Sequence, residues 1–419
     1  MPNTLFTAIT GLNANQNALA VIGNNIANSN TIGFKDGQAQ FEDLLSQQFT
    51  NTINGAGQPF QIGLGTRMSG VMTDFSQGAL QLTGTGTNAS IVGSGMFIVK
   101  GGQGTEYTRA GNFSLDQNGF LINPEGLRVQ GFTNKDANGN IIVGGSVNDL
   151  QIPVGVTSAP AATTSITAQA NLDASSSSGT TFNIEGQVFD SLGGAHTLSL
   201  KFTRGASGNS WDYTTSLDGN AVTPATTGTI TFDANGNITS PAPNGAGSPL
   251  TTLTIPPQTL ADGGSTSAIS LQLVDATGKS NITGFDAPSA TTTITQNGSA
   301  SGTLTGITIG SDGVINGAFT NGQTVVMGQI ATASFNNYQG LLHQGNNLYS
   351  ATSQSGTATV GAPGTGPRGA LTGAAVESSN VDLPTEFSNM IIAQRGFQAN
   401  SRVITTTDQV LQDIMGIIR

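Results

Sequence analysis

Two histidines, His196 and His343, are the side chains best suited to proton transfer near neutral pH. They stand far apart in the chain, each in a polar strand or turn context. Metal binding and acid–base work both need converging partners, and neither histidine is assigned such a role. The run Gly364-Thr365-Gly366-Pro367-Arg368-Gly369 has the Gly-x-Gly-x-x-Gly spacing that lets a backbone approach a dinucleotide pyrophosphate. That chemistry also needs a buried strand before the glycines and a helix after them. Neither pattern is present, so a loop is expected. Asp116-Gln117-Asn118-Gly119 and Asp233-Ala234-Asn235-Gly236 begin like calcium loops but lack the remaining oxygen ligands and the closing Glu. They are expected to be tight turns. No Gly-x-Ser-x-Gly occurs, the carboxylates are scattered, and there is no cysteine for thiol chemistry, disulfides or metal binding. No catalytic residue, metal ligand or cofactor follows from these residues.

The informative spacing is apolar and lies at the two ends. Leu5, Leu12, Leu19 and Ile26 recur at intervals of seven, and Ile9 and Ile22 widen the stripe. Met390, Phe397, Ile404, Leu411 and Ile418 repeat the interval near the C-terminus, flanked by Val403, Val410, Ile414 and Ile417. Such a seam predicts a helix lying against a partner helix. The spacing predicts one helix over the first 30 or so residues and another from about Leu383 to Ile418, with Asp382 as cap and Pro384 in the first turn. The second would be roughly 50 Å long. From Pro2 to Phe34 there is no charged side chain, and Asn13, Asn15, Gln16, Asn17, Asn24, Asn25 and Asn28 are expected to face away from the stripe. The segment is too polar to span a membrane and lacks the basic start and apolar core of a secretory signal.

Neither helix is strong by itself. Gly11, Gly23 and Gly396 each cost about 1 kcal/mol relative to Ala, and Val403-Ile404-Thr405-Thr406-Thr407 is largely β-branched. Burial at ~1.5–3 kcal/mol per stripe residue would compensate if a partner were present. The expectation is that both ends are disordered in a free subunit and fold when neighbours arrive. An ordinary helix pair covering a globular core stays open beside it.

Only 9% of residues are charged, the formal net charge is −11 and Gly reaches 58 of 419. So few cations argue against nucleic acid and anionic membranes as partners. The length suits two to four domains. From Phe34 to about Met72 a mixture of helix and loop is expected, with Phe41, Leu44, Leu45 and Phe49 as one amphipathic set. Strand signals begin at Phe75. Leu198, Leu200 and Phe202 alternate with polar residues, as do Ile269, Leu271 and Leu273, which predicts half-buried antiparallel strands. Trp211 is expected to anchor that core. Ala161–Ala168 and Ala290–Gly302, rich in Thr and Ser, are expected to be crossings between domains.

Several stretches carry a resemblance. Gly11-Leu12-Asn13 through Ile22-Gly23-Asn24-Asn25-Ile26-Ala27-Asn28 to Gly33-Phe34-Lys35 resembles the N-terminal signature of bacterial flagellar rod and hook proteins. Ser379-Asn380-Val381-Asp382-Leu383 and Met390 to Asn400 resemble their shared ending. Phe75-Ser76-Gln77-Gly78 and Tyr107-Thr108-Arg109-Ala110-Gly111-Asn112-Phe113 match as well. The inserted middle, with Val188-Phe189-Asp190-Ser191-Leu192-Gly193-Gly194-Ala195-His196 and the returning Gly345-Asn346-Asn347-Leu348-Tyr349, resembles the hook branch. A distal rod protein and a secreted β-rich adhesin are the alternatives.

The resemblance implies a non-enzymatic subunit of a curved tube that joins rod to filament, transmits torque and encloses an export channel. Its fold would be mainly β with long terminal α-helices, an elongated multidomain subunit with a coiled-coil-like core and β-rich outer domains. Nested, discontinuous pieces are expected: 1–30 with 380–419, 31–72 with 368–379, 73–147 with 298–367, and an inserted 148–297. The polymer-core interface would comprise Leu5, Ile9, Leu12, Leu19, Ile22, Ile26, Met390, Phe397, Ile404, Leu411, Ile414 and Ile418. Implied partners are further copies of itself, a rod protein at the proximal end, the hook cap, hook–filament junction proteins and the flagellar type III export apparatus. No cofactor, nucleic acid or membrane insertion is implied. The place of work would be outside the cell, reached without a cleavable signal.

Overall fold

The apolar intervals at the ends do form helices. In a computed structural model of the chain, α1 spans Pro2–Ala27 and α2 spans Leu383–Ile417. The structure describes residues 2–417 apart from 46, 54–55, 103, 138, 154, 156, 207, 241–251, 262 and 276–277, so Ile418 lies outside the described residues. Asp382 starts α2: its carbonyl accepts the Glu386 N–H at 2.9 Å and its carboxylate accepts the Thr385 hydroxyl at 2.5 Å. Among the described residues no helix is long and apolar enough to cross a membrane. Between the helices the chain is β.

Two compact units divide it. The first comprises Met1–Val154, Gly306–Gly317 and Val325–Arg419, and the second Gly155–Thr305 with Ala318–Thr324. In the first unit, pieces far apart in sequence pair in turn. Leu80–Leu82 pairs with Ala375–Glu377, Ala89–Val92 with Ala370–Gly373, and Met96–Gly101 with Thr332–Ser334, all antiparallel. Met96, Ile98, Tyr107, Phe132, Phe335 and Tyr349 are buried together in its core.

The second unit holds a six-stranded and a five-stranded sheet. The predicted alternation holds: Leu198, Leu200 and Phe202 are buried from one sheet, Ile269 and Leu271 from the other with Leu273 just past its strand, and Trp211 is fully buried among them. The expected antiparallel pairing holds on one side of Ile269–Gln272, with Thr252–Ile255, but its other neighbour, Ser165–Asn171, is parallel. These inner faces share one apolar cluster, which is why each strand is polar on alternate residues.

Three expectations are corrected. The segment after Phe34 is not helix and loop but the antiparallel pair Gly37–Asp43 with Thr66–Thr73, followed within it by Gln47–Ile53 with Ala56–Ile62. Phe41 and Leu45 are exposed, so their three-to-four spacing does not mark a buried helical face, and Phe49 falls in a strand. The Ala/Thr/Ser run near 161–168 enters the strand Ser165–Asn171, and the Thr-rich run becomes the strand Ala290–Gln296 beside it. β-Branched Thr suits a pleated surface, and that preference outweighs the linker-like composition.

The turns behave as expected. Asp116 Oδ1 accepts the N–H groups of Asn118 and Phe120 at 2.8 and 2.7 Å, and Asp233 Oδ1 accepts those of Asn235 and Asn237, both at 2.8 Å. Gly119 and Gly236 sit at φ +80° and +75°, where a Cβ would be strained. The run 364–369 is a loop closed by the Gly364 N–H on the Gly369 carbonyl at 3.0 Å.

Candidate assembly interface

Antiparallel packing of α1 on α2 uses small residues. A Cβ on Gly11 would lie 2.8 Å from Asn400 Nδ2, and one on Gly396 would lie 2.8 Å from Asn15 Oδ1. Each helix therefore carries a glycine followed four residues later by an asparagine, and each asparagine sits over the other helix's glycine. Asn15 is held there by its own Nδ2, which donates to the Gly11 carbonyl at 2.7 Å. Further along, Ala18, Ile22 and Ala393 are buried together, with Leu19, Ile26 and Met390 packed around them. At the far end Asn25 Nδ2 donates to Glu386 Oε2 at 3.3 Å and to the Gly37 carbonyl at 2.8 Å.

Gly11 and Gly396, which look like helix weaknesses in the sequence, are the close-approach points of this seam, whereas Gly23 meets nothing. The expected stripe divides in consequence. Ile22, Leu19, Ile26 and Met390 belong to the chain's own helix pair. Leu5, Leu12, Phe397 and Ile404 are half-buried, while Ile9, Leu411 and Ile414 are exposed. Close approach through small residues leaves large ones outside. Phe387 is 51% exposed, Ile391 52%, Ile392 68% and Phe6 51%, with Val403 and Met415 also in solvent.

Below the helices a buried ion cluster joins segments from across the sequence. Lys35 Nζ lies 2.6 Å from Glu377 Oε1 and donates to the Ser76 carbonyl at 2.5 Å. Arg109 reaches Glu377 Oε2 at 3.2 Å and the Gly93 carbonyl at 2.5 Å. Glu377 also accepts the Gly78 N–H at 2.8 Å, and its carbonyl accepts the Gly33 N–H at 2.8 Å. All three side chains are out of solvent, and burial pulls Lys35 and Arg109 below their ordinary values against the opposing pull of Glu377. Such a carboxylate is costly to lose, because two buried cations would be left uncompensated.

Asn380 closes the same junction. It accepts the Asp36 N–H at 2.8 Å and donates to the Asp74 carbonyl at 2.9 Å. Asn347 donates to the Ile32 carbonyl at 2.9 Å, and its own carbonyl accepts the Thr108 hydroxyl at 2.9 Å. The stretches Gly33–Lys35, Phe75–Gly78, Tyr107–Phe113, Gly345–Tyr349 and Ser379–Leu383 are thus one physical joint. Glu377 and Asn380, its fastenings, stand out in no spacing pattern of the sequence. Asn15 and Asn25, expected on the face away from the stripe, turn inward, Asn15 onto Gly396 and Asn25 onto Glu386, because close helix approach at glycine leaves room for a short amide. Asp36 is strained electrostatically: burial first, then the charges of Glu386 and Asp74, push its carboxyl up to about 6.

Family models described as Flagella basal body rod protein, Flagellar hook protein FlgE/F/G D1 domain, Flagellar basal body protein FlaE D2 domain and Flagellar basal body rod FlgEFG protein C-terminal match residues 5–35, 90–171, 157–299 and 372–417. The chain is 35% identical to a flagellar hook protein FlgE of Treponema pallidum, over 100% of both chains. It is 36% identical to that of Escherichia coli K12, over 98% of both. A solved structure of Helicobacter pylori flagellar hook protein FlgE2 aligns with TM-score 0.50 at 15% identity, covering 72% of this chain and 99% of that one, which speaks to fold alone.

Proposed function

The chain belongs to the flagellar hook proteins and is a structural subunit of the bacterial flagellar hook, and from that premise we propose that its terminal helix pair is the module that builds the polymer core. The observation that carries this is the division of apolar residues. Small side chains close α1 on α2, and Phe6, Ile9, Phe387, Ile391, Ile392 and Leu411 are left facing outward. Each would contribute about 1.5–3 kcal/mol if covered by the helices of further copies. Leu5, Leu12, Phe397 and Ile404, half-exposed, complete contacts at the flanks of the pair.

Nesting of the chain into terminal, connecting, middle and inserted parts is supported by the successive pairing of early with late segments in the first unit. The polymer is a curved flexible tube around an export channel, joined to the rod at one end and to cap and junction proteins at the other. Matches of both terminal segments to rod-protein models support the rod-side joint. The subunit works outside the cell. Full-length likeness to hook proteins sets aside the rod-protein and adhesin alternatives.

The test separates assembly from folding. Ile392→Asp and Leu411→Asp alter exposed positions and leave the seam at Gly11 and Gly396 intact. Sedimentation and electron microscopy should show no tubes from either variant, with circular dichroism and melting like the parent chain. Tubes of normal yield would remove these helices from the polymer core.

A further inference from the structure

The motif Val188–His196 takes no part in the polymer-core reading, yet it is held together by charge. Asp190, in the turn between the strands Thr181–Phe189 and Ala195–Arg204, is fully buried. Its Oδ1 accepts the N–H groups of Leu192 and Gly194 at 3.0 and 2.6 Å. Its Oδ2 has no hydrogen bond and lies 3.7 Å from His196 Nε2. On the other side of the ring, His196 Nδ1 stands 2.7 Å from Asp218 Oδ2. Asp218 comes from the turn after the strand Ser210–Leu217 and is held at φ +49°, a left-handed conformation unusual for a residue with a Cβ. Among the described residues the ion pairs of the ring are with Asp190 from one turn and Asp218 from the other, both acidic.

A neutral imidazole donates from one nitrogen and can serve one of these carboxylates. An imidazolium donates from both. Asp190 Oδ2 is shut away from water, and a ring donating only to Asp218 would leave it without a donor. Asp218 carries the mark of a partner: the Thr197 N–H first, and His196 second, hold its carboxyl below the usual range.

The turn so fixed sits at a mechanical point of the second unit. Gly193, at φ +87°, is packed so tightly that a Cβ would lie 2.8 Å from Pro160 Cβ and 3.3 Å from the Ser301 nitrogen. Pro160 and Ser301 flank the bridge Ala161↔Ser299, where the entering and leaving strands of the unit meet. Ser191 adds two bonds to Ser265, its N–H to the Ser265 carbonyl at 3.0 Å and its hydroxyl accepting the Ser265 N–H at 3.1 Å.

We propose that Asp190, His196 and Asp218 form a proton-loaded lock: His196 is cationic in the folded second unit, bridges both carboxylates, and fixes the 190–194 turn against the unit's entry and exit strands until deprotonation releases it. The sign of the linkage follows. A histidine bound more tightly to its proton in the folded state stabilises fully below the free value of about 6.5 and loses that contribution as pH rises through its folded value.

The experiment uses the full chain. Proton NMR of the histidine Cε1–H, with His343→Gln to assign the two signals, should place the His196 titration at least one pH unit above that of a free histidine. Asp218→Asn, a change at a half-exposed carboxylate, should lower it by half a unit or more. Trp211, the single tryptophan and buried in the second unit, reports that unit's melting by fluorescence. Its melting temperature should fall between pH 6 and 9 in the parent chain and change little in His196→Gln. A His196 titration at or below the free value, or the same pH slope in both chains, would overturn the lock.

Discussion

Asp36 stands where α1 gives way to the first strand, and its carboxyl shares a confined space with Glu386 and Asp74. A carboxylic acid whose folded value is raised to about 6 binds its proton more tightly folded than unfolded. Stability at this site is therefore highest below about pH 4, falls as pH rises through about 6, and stays lowered above it. Asp149 and Asp218 act in the opposite sense, because hydrogen bonds hold both below the usual range, and their contributions are lost only at lower pH. Burial holds His343 of the same unit below its ordinary value, so that ring withdraws stability on acidification, and the Asp36 response is therefore read in a His343→Gln background. Melting of the first unit should rise on acidification from pH 7 to 5, and Asp36→Asn should flatten that response while stabilising the chain at pH 7. Discounted for partial exposure, the gain is on the order of 1 kcal/mol. A His343→Gln chain that loses stability over the same window would contradict the assignment.

Helix glycines that look alike in the sequence differ in what they touch. Gly23 has open space around its Cβ position, whereas Gly396 faces Asn15 at 2.8 Å. Gly23→Ala should gain about 1 kcal/mol of helix stability from propensity alone. Gly396→Ala makes the same propensity gain but wedges the seam apart, at a cost of about 1–3 kcal/mol. Hydrogen exchange of α1 amides checks both: slower in the first variant and faster in the second. Equal protection would mean that the pair is not closed through its glycines. The helices themselves were legible because a seven-residue interval survives any partner. Their register was not, because the Gly11–Asn400 and Asn15–Gly396 contacts join positions from opposite ends of the chain. The strand Gly37–Asp43 was hidden by Phe41, Leu44 and Leu45, whose spacing imitates a helix, although Gln38, Ala39, Gln40 and Phe41 alternate with period two. Glu377 stood out in no pattern; only its burial between Lys35 and Arg109 reveals it.

At the scale of the whole subunit, the second unit hangs on a pair of strands that close on themselves. Thr157 pairs with Thr303, Ser158 with Gly302, and Ala161 exchanges both backbone hydrogen bonds with Ser299 at 3.0 and 2.8 Å. A mutually bonded pair of this kind is the site where a two-residue turn joins antiparallel strands. Replacing 162–298 by Asn-Gly should therefore remove both sheets of the second unit without stretching the chain, and the buried set around Met96, Ile98, Phe335 and Tyr349 would keep its own strands. The terminal helices, with their outward apolar residues, are untouched by the deletion. If the helix pair builds the tube and the outer β structure tunes its shape, the shortened subunit should still polymerise, and electron micrographs should show tubes of altered curvature or handedness. Surfaces rich in Thr, Ser, Asn and Gly form few strong ion pairs, so losing them should cost little cohesion. A folded but wholly unpolymerised product would place the holding contacts in the second unit and reverse that division of labour.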